Sequence, residues 1–440
     1  MDQLIPSLQV LLAPLAVAFR EEAFQMFCLT AGAWIVCLGR RTISRVWETT
    51  GQSESRNHAA AFRLFSAAAW NWDEVCRIMV LAIVARLVPG MRIWVVVDDT
   101  LCHKRGAKVA FGGIFLDAVL STRRHKVFRF GNNWVMLGIV VQLPFRKDRY
   151  FCLPSLWRIY EKQGKKKRSA HRSKSQLAAE LITQFARWFP ARKIQVVGDC
   201  AYVGQHLLRD RAANVEVIGP LRWDAALSQP LPAGTGGKRK KGQRLPTPAQ
   251  MLADDRHWPA QELLVAFPKG KRRLRVKLIK DVCWYQAAGS QPVQLILVRD
   301  AQGEWRDEAL LSTDQTLTPR QVITGYCRRW SVEVAFCDGK QALGFHDPQV
   351  WCAKSVARAA PMSWFLGSLV VLWYVVAGHT GEQAQRHRPW YRDKPAPTFA
   401  DMLGACRLHL WRHWLTAACG SRADREAKWA WLLEYVATAV

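Results

Sequence analysis

The stretch "WVVVDDT" at residues 94–100 constrains this chain more than any other. Val95, Val96 and Val97 show no alternation of apolar and polar positions, so they predict a strand covered on both faces. Such a strand needs other layers packed above and below its sheet, which places the chain in the α/β class. The run stops at two adjacent carboxylates, Asp98 and Asp99, where the strand would leave the sheet. Ligands of open α/β sheets bind at such strand ends. An Asp followed by Thr also suits a helix N-cap or a solvated turn.

Carboxylates are scarce in this chain, with 35 Asp and Glu against 63 Lys and Arg and a formal net charge of +28. That excess repels itself unless a polyanion offsets it, so nucleic acid or an anionic membrane surface is the expected partner. With 440 residues, 50% of them hydrophobic, and 21 Trp, a large core can form, which excludes disorder throughout. The most apolar segment, residues 362–378, falls about one turn short of a comfortable bilayer span and contains Ser363, Gly367 and Ser368. A buried core helix, and no membrane, is the expectation. The N-terminus opens with Asp2 and has no basic leader of the secretory kind. The 12 cysteines lack any C-x-x-C and lie mostly in apolar runs, as Cys28, Cys76 and Cys283 do, so they read as reduced core residues of a cytoplasmic protein. Only Cys102 and His103 form a tight Cys/His pair, which is not the ligand spacing of structural zinc.

Residues 1–88 predict helices, with a glycine turn and the cluster Arg40, Arg41 and Arg45 in a helix-turn-helix-like order that suits DNA; an ordinary bundle with a basic face fits equally. From residue 89 strands are expected at "IWVVVDD", "NWVMLGIVVQL" and "KIQVVGD", with an amphipathic helix at residues 175–189. Two basic stretches interrupt them, one with Lys165, Lys166, Lys167 and Arg168, the other with Lys238, Arg239, Lys240 and Lys241. Like charges crowded without acids favour contact with nucleic-acid phosphates over a merely solvated loop. From about residue 263 the pattern becomes antiparallel hairpins, followed by a long helix capped by Thr318 and Pro319.

That helix carries "YCRRWSVEVAFCDGK", in which Tyr326, Arg329, Glu333 and Lys340 stand at spacing Y-x2-R-x3-E-x6-K. At about 100° per residue the four share a stripe roughly 60° wide. A solvated face with an Arg329–Glu333 salt bridge accounts for the stripe equally well. The spacing nevertheless resembles the signature of a large group of bacterial insertion-sequence transposases. "DDT" is similar to that group's first-acid segment, "VVGDCAY" to its second-acid segment, and residues 344–374 and 389–403 to its C-terminal half, so that the likeness spans about residues 91–403.

The resemblance implies a ribonuclease-H-like core with a β-rich insertion and a helical N-terminal domain. Taken with the helix-turn-helix-like pattern of residues 1–88, it divides the chain into a helical segment 1–88 expected to bind DNA, a catalytic core of residues 89–225 and 313–385, a basic and β-hairpin insertion 226–312, and a C-terminal helical region 386–440. It implies catalytic carboxylates Asp98, Asp199 and Glu333, with Asp99 an additional metal-ligand candidate. Two Mg²⁺ ions, or Mn²⁺ in their place, about 4 Å apart would activate the attacking hydroxyl and stabilise the leaving oxygen. Tyr326, Arg329 and Lys340 would then engage DNA phosphates, and Trp284 and Trp305 of the hairpin block become candidates to hold an unstacked base, with core packing as their alternative. The expected partners are double-stranded DNA, as terminal repeats and target, and a second copy in the synaptic complex, within the bacterial nucleoid. A nuclease without strand transfer and a catalytically idle DNA-binding derivative are the competing functions.

Overall fold

A computed structural model of the chain describes residues 4–51, 57–163, 171–232, 240–267, 270–380, 394, 396–416 and 421–438. Its strands are β1 (Arg92–His103), β2 (Gly113–Leu116), β3 (Phe128–Leu143), β4 (Arg146–Tyr160), β5 (Lys193–Val197), β6 (Val215–Pro220), β7 (Gln261–Phe267), β8 (Gly270–Cys283), β9 (Pro292–Asp300) and β10 (Glu308–Ser312). They form one mixed sheet in the order β2-β3-β1-β5-β6-β10-β9-β8-β7, with β4 also paired to β3. β1, β3 and β4 pair antiparallel in succession, while β1, β5 and β6 run parallel. This mixed α/β sheet is consistent with a ribonuclease-H-like nuclease fold. Val95, Val96 and Val97 have no exposed surface, as an unalternating apolar run requires.

β4 carries no clear strand signal in the sequence, because charges open it and Pro154 interrupts it. Its only strand partner among the described residues is β3, and Pro154 faces Gly138 where the register shifts. A proline is tolerated on such an irregular, singly paired strand because no ladder donor is lost there.

The helix expected to run unbroken from Thr318 is two helices, Pro319–Cys327 and Trp330–Ala342. At the junction Arg328 N–H donates to Gly325 O at 3.2 Å and Arg329 N–H to Tyr326 O at 3.0 Å. These i to i−3 bonds tighten the turn and shift the stripe that an ideal 3.6-residue period predicts.

Helix Met362–Val376 is the expected core helix: Trp364, Trp373 and Tyr374 are each 1% exposed. The segment Ala353–Val376 is long and apolar enough to cross a membrane by length and composition, yet 83% of its most apolar 18 residues are buried within the protein. The N-terminal helices share this core. Phe27 of helix Glu21–Val36 packs edge-on against Phe365 at 5.4 Å, and Trp34 Nε1 donates to Leu343 O at 2.9 Å.

Candidate active site

Adjacent residues of a strand point to opposite faces, and the side chains of Asp98 and Asp99 have different partners. Asp99 faces helix Lys174–Trp188, where its Oδ2 pairs with Lys174 Nζ at 2.5 Å and its Oδ1 accepts from the Tyr202 hydroxyl at 2.6 Å. Asp98 faces the other way. Its Oδ1 accepts from Asp99 N–H at 2.8 Å and its Oδ2 lies 3.3 Å from Arg329 Nη1. Val96 of β1 stands opposite Val197 of β5, so Asp199, two residues further, emerges beside Asp98. Asp199 Oδ1 accepts from Ala201 N–H at 2.8 Å, which closes a tight turn at the strand end.

The third acid comes from the helix Trp330–Ala342. Glu333 Oε1 lies 3.3 Å from Arg329 Nη2, so one guanidinium bridges Asp98 and Glu333. Burial, with Asp199 as the next contributor, pushes the Asp98 carboxyl up to about 7. Burial works against the Arg329 charge, and Tyr326, Asp98, Glu333 and Asp199 outweigh it and hold its pKa above the ordinary value. The Tyr326 hydroxyl is raised by burial and lies within the field of Arg329, Glu308 and Asp199. Three acids, an arginine and a tyrosine thus surround the point where the parallel pairing of β1 with β5 stops. Asp98 and Asp99 do not stand at the strand's end, where the sequence predicts them, because β1 runs on to His103 against β3. Residues 18–287 match the family described as DDE superfamily endonuclease, a segment that includes Asp98 and Asp199 and stops before Glu333. The chain belongs to the DDE superfamily endonuclease family. No curated protein matches it.

Endonucleases of this superfamily generally use divalent metal ions, and the donor set suits one: hard carboxylate oxygens, with the repulsion between Asp98 and Asp199 that a cation relieves. Among the described residues no three metal-ligating side chains already converge as a cluster, and Arg329 lies between Asp98 and Glu333.

The other residues singled out in the sequence are scattered over the endonuclease fold. Lys340 lies two turns beyond Glu333, in the field of Asp117 and Cys102; burial lowers its pKa, and both neighbours partly offset that. Arg41 is 6% exposed and donates to Trp34 O at 3.2 Å and Cys37 O at 3.1 Å. Arg45 pairs with Glu48 at 3.0 Å and stacks 4.3 Å above the Tyr435 ring, which leaves Arg40 as the exposed member of that cluster. Trp284 packs half-buried against the main core. Trp305 is 38% exposed, edge-on to Phe267 at 4.5 Å and beneath Arg272. Lys240 and Lys241 are exposed, with Lys241 Nζ 5.9 Å from the Tyr285 ring centre. Lys165, Lys166, Lys167, Arg168, Lys238 and Arg239 lie outside the described residues.

Sequence reasoning missed two features of this site. Arg306 and Glu308, paired at 2.7 Å, reach the site from the start of β10, within the field of Tyr326. Trp330, 63% exposed, stands between Arg329 and the turn that carries Glu333. An exposed indole directly after the signature arginine was the available signal.

Proposed function

We propose that this endonuclease is a DNA transposase that cleaves at the ends of its element and joins the 3′-OH ends to target DNA. The observation that carries the proposal is the chain Asp98–Arg329–Glu333, closed by Asp199 at the neighbouring strand end. In this reading Asp98 is the first acid. Asp99 is engaged by Lys174 and Tyr202 on the opposite face, so it fixes the strand rather than the substrate. Residues 89–225 and 313–385 form the catalytic core, 226–312 the insertion, and 386–440 the C-terminal helical region. The segment 1–88, which shares its core with the helix Met362–Val376, contributes to recognition of the ends, with Arg40 the exposed cation of the Arg40, Arg41 and Arg45 cluster.

Asp98, Asp199 and Glu333 would hold Mg²⁺ or Mn²⁺, two ions per site. When bound, the cation supplies a deprotonated nucleophile and a stabilised leaving oxygen. Arg329 supplies a planar, permanently charged fork suited to phosphate, and the Tyr326 hydroxyl beside it can donate to a phosphate oxygen. The partner is double-stranded DNA, bound by a homodimer in the synaptic complex.

The test is cleavage and end-joining of DNA from the flanks of the protein's own locus, with Mg²⁺ or Mn²⁺, by wild type and by Asp98→Asn, Asp199→Asn and Glu333→Gln. Each variant should lose cleavage and keep DNA binding. Retained cleavage by Asp98→Asn together with its loss in Asp99→Asn would move the first acid to Asp99. Cleavage without joining would make the protein a nuclease only, and cleavage untouched by all three substitutions would refute the site.

A further inference from the structure

Between β1 and β3 the chain makes an excursion that the active site does not use. Residues 104–129, "KRGAKVAFGGIFLDAVLSTRRHKVFR", contain seven Lys or Arg and a single acid, Asp117. Gly131 of β3 faces His103 of β1 and also Gly113 of β2. A side chain at Gly131 would collide with the Cys102 carbonyl, so glycine permits this close junction. Past it β1 ends, and β2 with residues 128–130 continues as a two-stranded ribbon.

The ribbon is pinned in place. Asp117, 3% exposed, accepts from Val119 N–H at 3.0 Å and Leu120 N–H at 3.2 Å, and its Oδ2 lies 2.6 Å from His103 Nε2. His103 in turn stacks on His346 and donates its N–H to His346 Nδ1 at 3.0 Å. The one acid therefore faces inward. Arg105, Lys108, Arg123, Arg124, Lys126 and Arg129 are exposed, and none forms an ion pair with a described residue. Among them stand bare apolar side chains: Ile114 is 60% exposed, Leu116 46% and Phe128 59%, with Leu116 directly opposite Phe128.

An apolar patch ringed by unpaired cations needs an occupant that carries negative charge. A second copy would bring an equally basic ribbon against the first, so charge disfavours it and favours a polyanion. The ribbon also lies along a line from the acids. Asp98 stands opposite Met136 of β3, eight residues from Phe128, which at ~3.3 Å per residue is about 26 Å. Lys340 lies between, seven residues or roughly 10 Å along its helix from Glu333.

We propose that residues 113–129 form a duplex-gripping arm, which holds DNA about eight base pairs from the cleaved bond at 3.4 Å per pair. Its cations contact backbone phosphates, and Leu116 and Phe128 press on the sugars and base edges of a groove. The proposal rests on the DNA endonuclease activity described above and adds a second contact region to it.

The experiment measures equilibrium binding of the full chain to a 30-base-pair duplex while salt is raised. Wild type is compared with the triple variant Arg123→Ala, Arg124→Ala, Lys126→Ala, with the charge-preserving variant Arg123→Lys, Arg124→Lys, Lys126→Arg, and with Phe128→Ser. The alanine variant should flatten the salt slope by up to about three, which narrows the affinity lost between about 50 and about 200 mM salt by up to about fortyfold. The charge-preserving variant should keep the slope, and Phe128→Ser should weaken binding at an unchanged slope. Duplexes shortened on one side of the mapped cleavage point should lose affinity for wild type once fewer than about eight pairs remain. Thermal unfolding checks that each variant is folded. A wild-type slope and length dependence in the alanine variant would overturn the arm and leave the endonuclease reading standing. So would a change of oligomeric mass with DNA binding intact, which would make the ribbon a contact between copies. Failure of wild type to bind or cut DNA would remove the underlying reading as well.

Discussion

Asp98→Asn should stabilise the cation-free protein at pH 8 while it abolishes cleavage. In the folded chain the Asp98 carboxyl titrates near 7, raised from 3.8 first by burial and then by Asp199. Between those values the native state holds a proton that the unfolded chain has already released. Stability therefore falls as pH rises through this window, and above pH 7 the whole penalty is present. At 1.36 kcal/mol per unit the shift corresponds to a ceiling of about 4 kcal/mol. The 3.3 Å charge contact with Arg329 is already contained in that net shift, and relaxation and water penetration around a side chain still 17% exposed bring the expected gain to about 2 kcal/mol. For a chain of 440 residues that is about 2 °C in Tm. Thermal unfolding at pH 4 and pH 8, with and without Mg²⁺, reads it directly. The variant should gain at pH 8 in chelator and show no gain at pH 4, and Mg²⁺ should stabilise wild type and not the variant. Asp99→Asn should do the reverse, because it removes the partner of Lys174 and Tyr202. An Asp98→Asn gain equal at both pH values, or no gain at all, would refute the repulsion on which the site assignment rests.

Arg41→Ala should cost on the order of 3 kcal/mol in denaturant unfolding, because it strips donors from buried carbonyls and a charge from beside Asp347, while binding of random DNA stays unchanged. Trp330→Ala should lower cleavage about ten- to hundredfold if the indole carries a base. Its unfolding free energy should move by less than about 0.5 kcal/mol, since the side chain is 63% exposed. Neutralising Lys165, Lys166, Lys167 and Arg168 together, or Lys238, Arg239, Lys240 and Lys241 together, should reduce the salt slope of binding by up to about four; an unchanged slope would make these stretches solvated surface.

The strand was legible because a doubly covered strand writes itself as an unbroken apolar run, but its continuation past the two acids to His103 was not, since that half is held by the β3 ladder rather than marked by an apolar pattern. Which acid meets Arg329 was not, since a period of two gives neighbours opposite faces and only the packed helices distinguish them. The Tyr326–Lys340 spacing was legible, but the break at Arg328 and Arg329 was not, as no Pro marks it and Gly325, in the turn before, lies inside an otherwise helical pattern. The same limit applies to Arg41: a cluster of three arginines reads as a surface, and only the fold reveals that one of them ties together buried carbonyls. β4 was hidden by Pro154, whose tolerance depends on the register shift against the preceding strand β3, which residue type alone does not encode.

The pairing of β10 with β6, Leu310 against Pro220 through Ser312 against Ile218, has a mechanical consequence. It joins the hairpin strands β7–β10 to the same hydrogen-bonded plate that carries Asp98 and Asp199. Buried Gln294 locks that joint by donating to Asp314 O at 2.8 Å and Leu317 O at 3.0 Å, just before the helices that present Tyr326 and Glu333. Such a region behaves as a cantilever rather than a hinged flap. A strand of nucleic acid pressed against Trp305 would transmit its load through β9 and β10 into the frame of the acids, so strain at the far edge is felt as alignment at the cleaved bond.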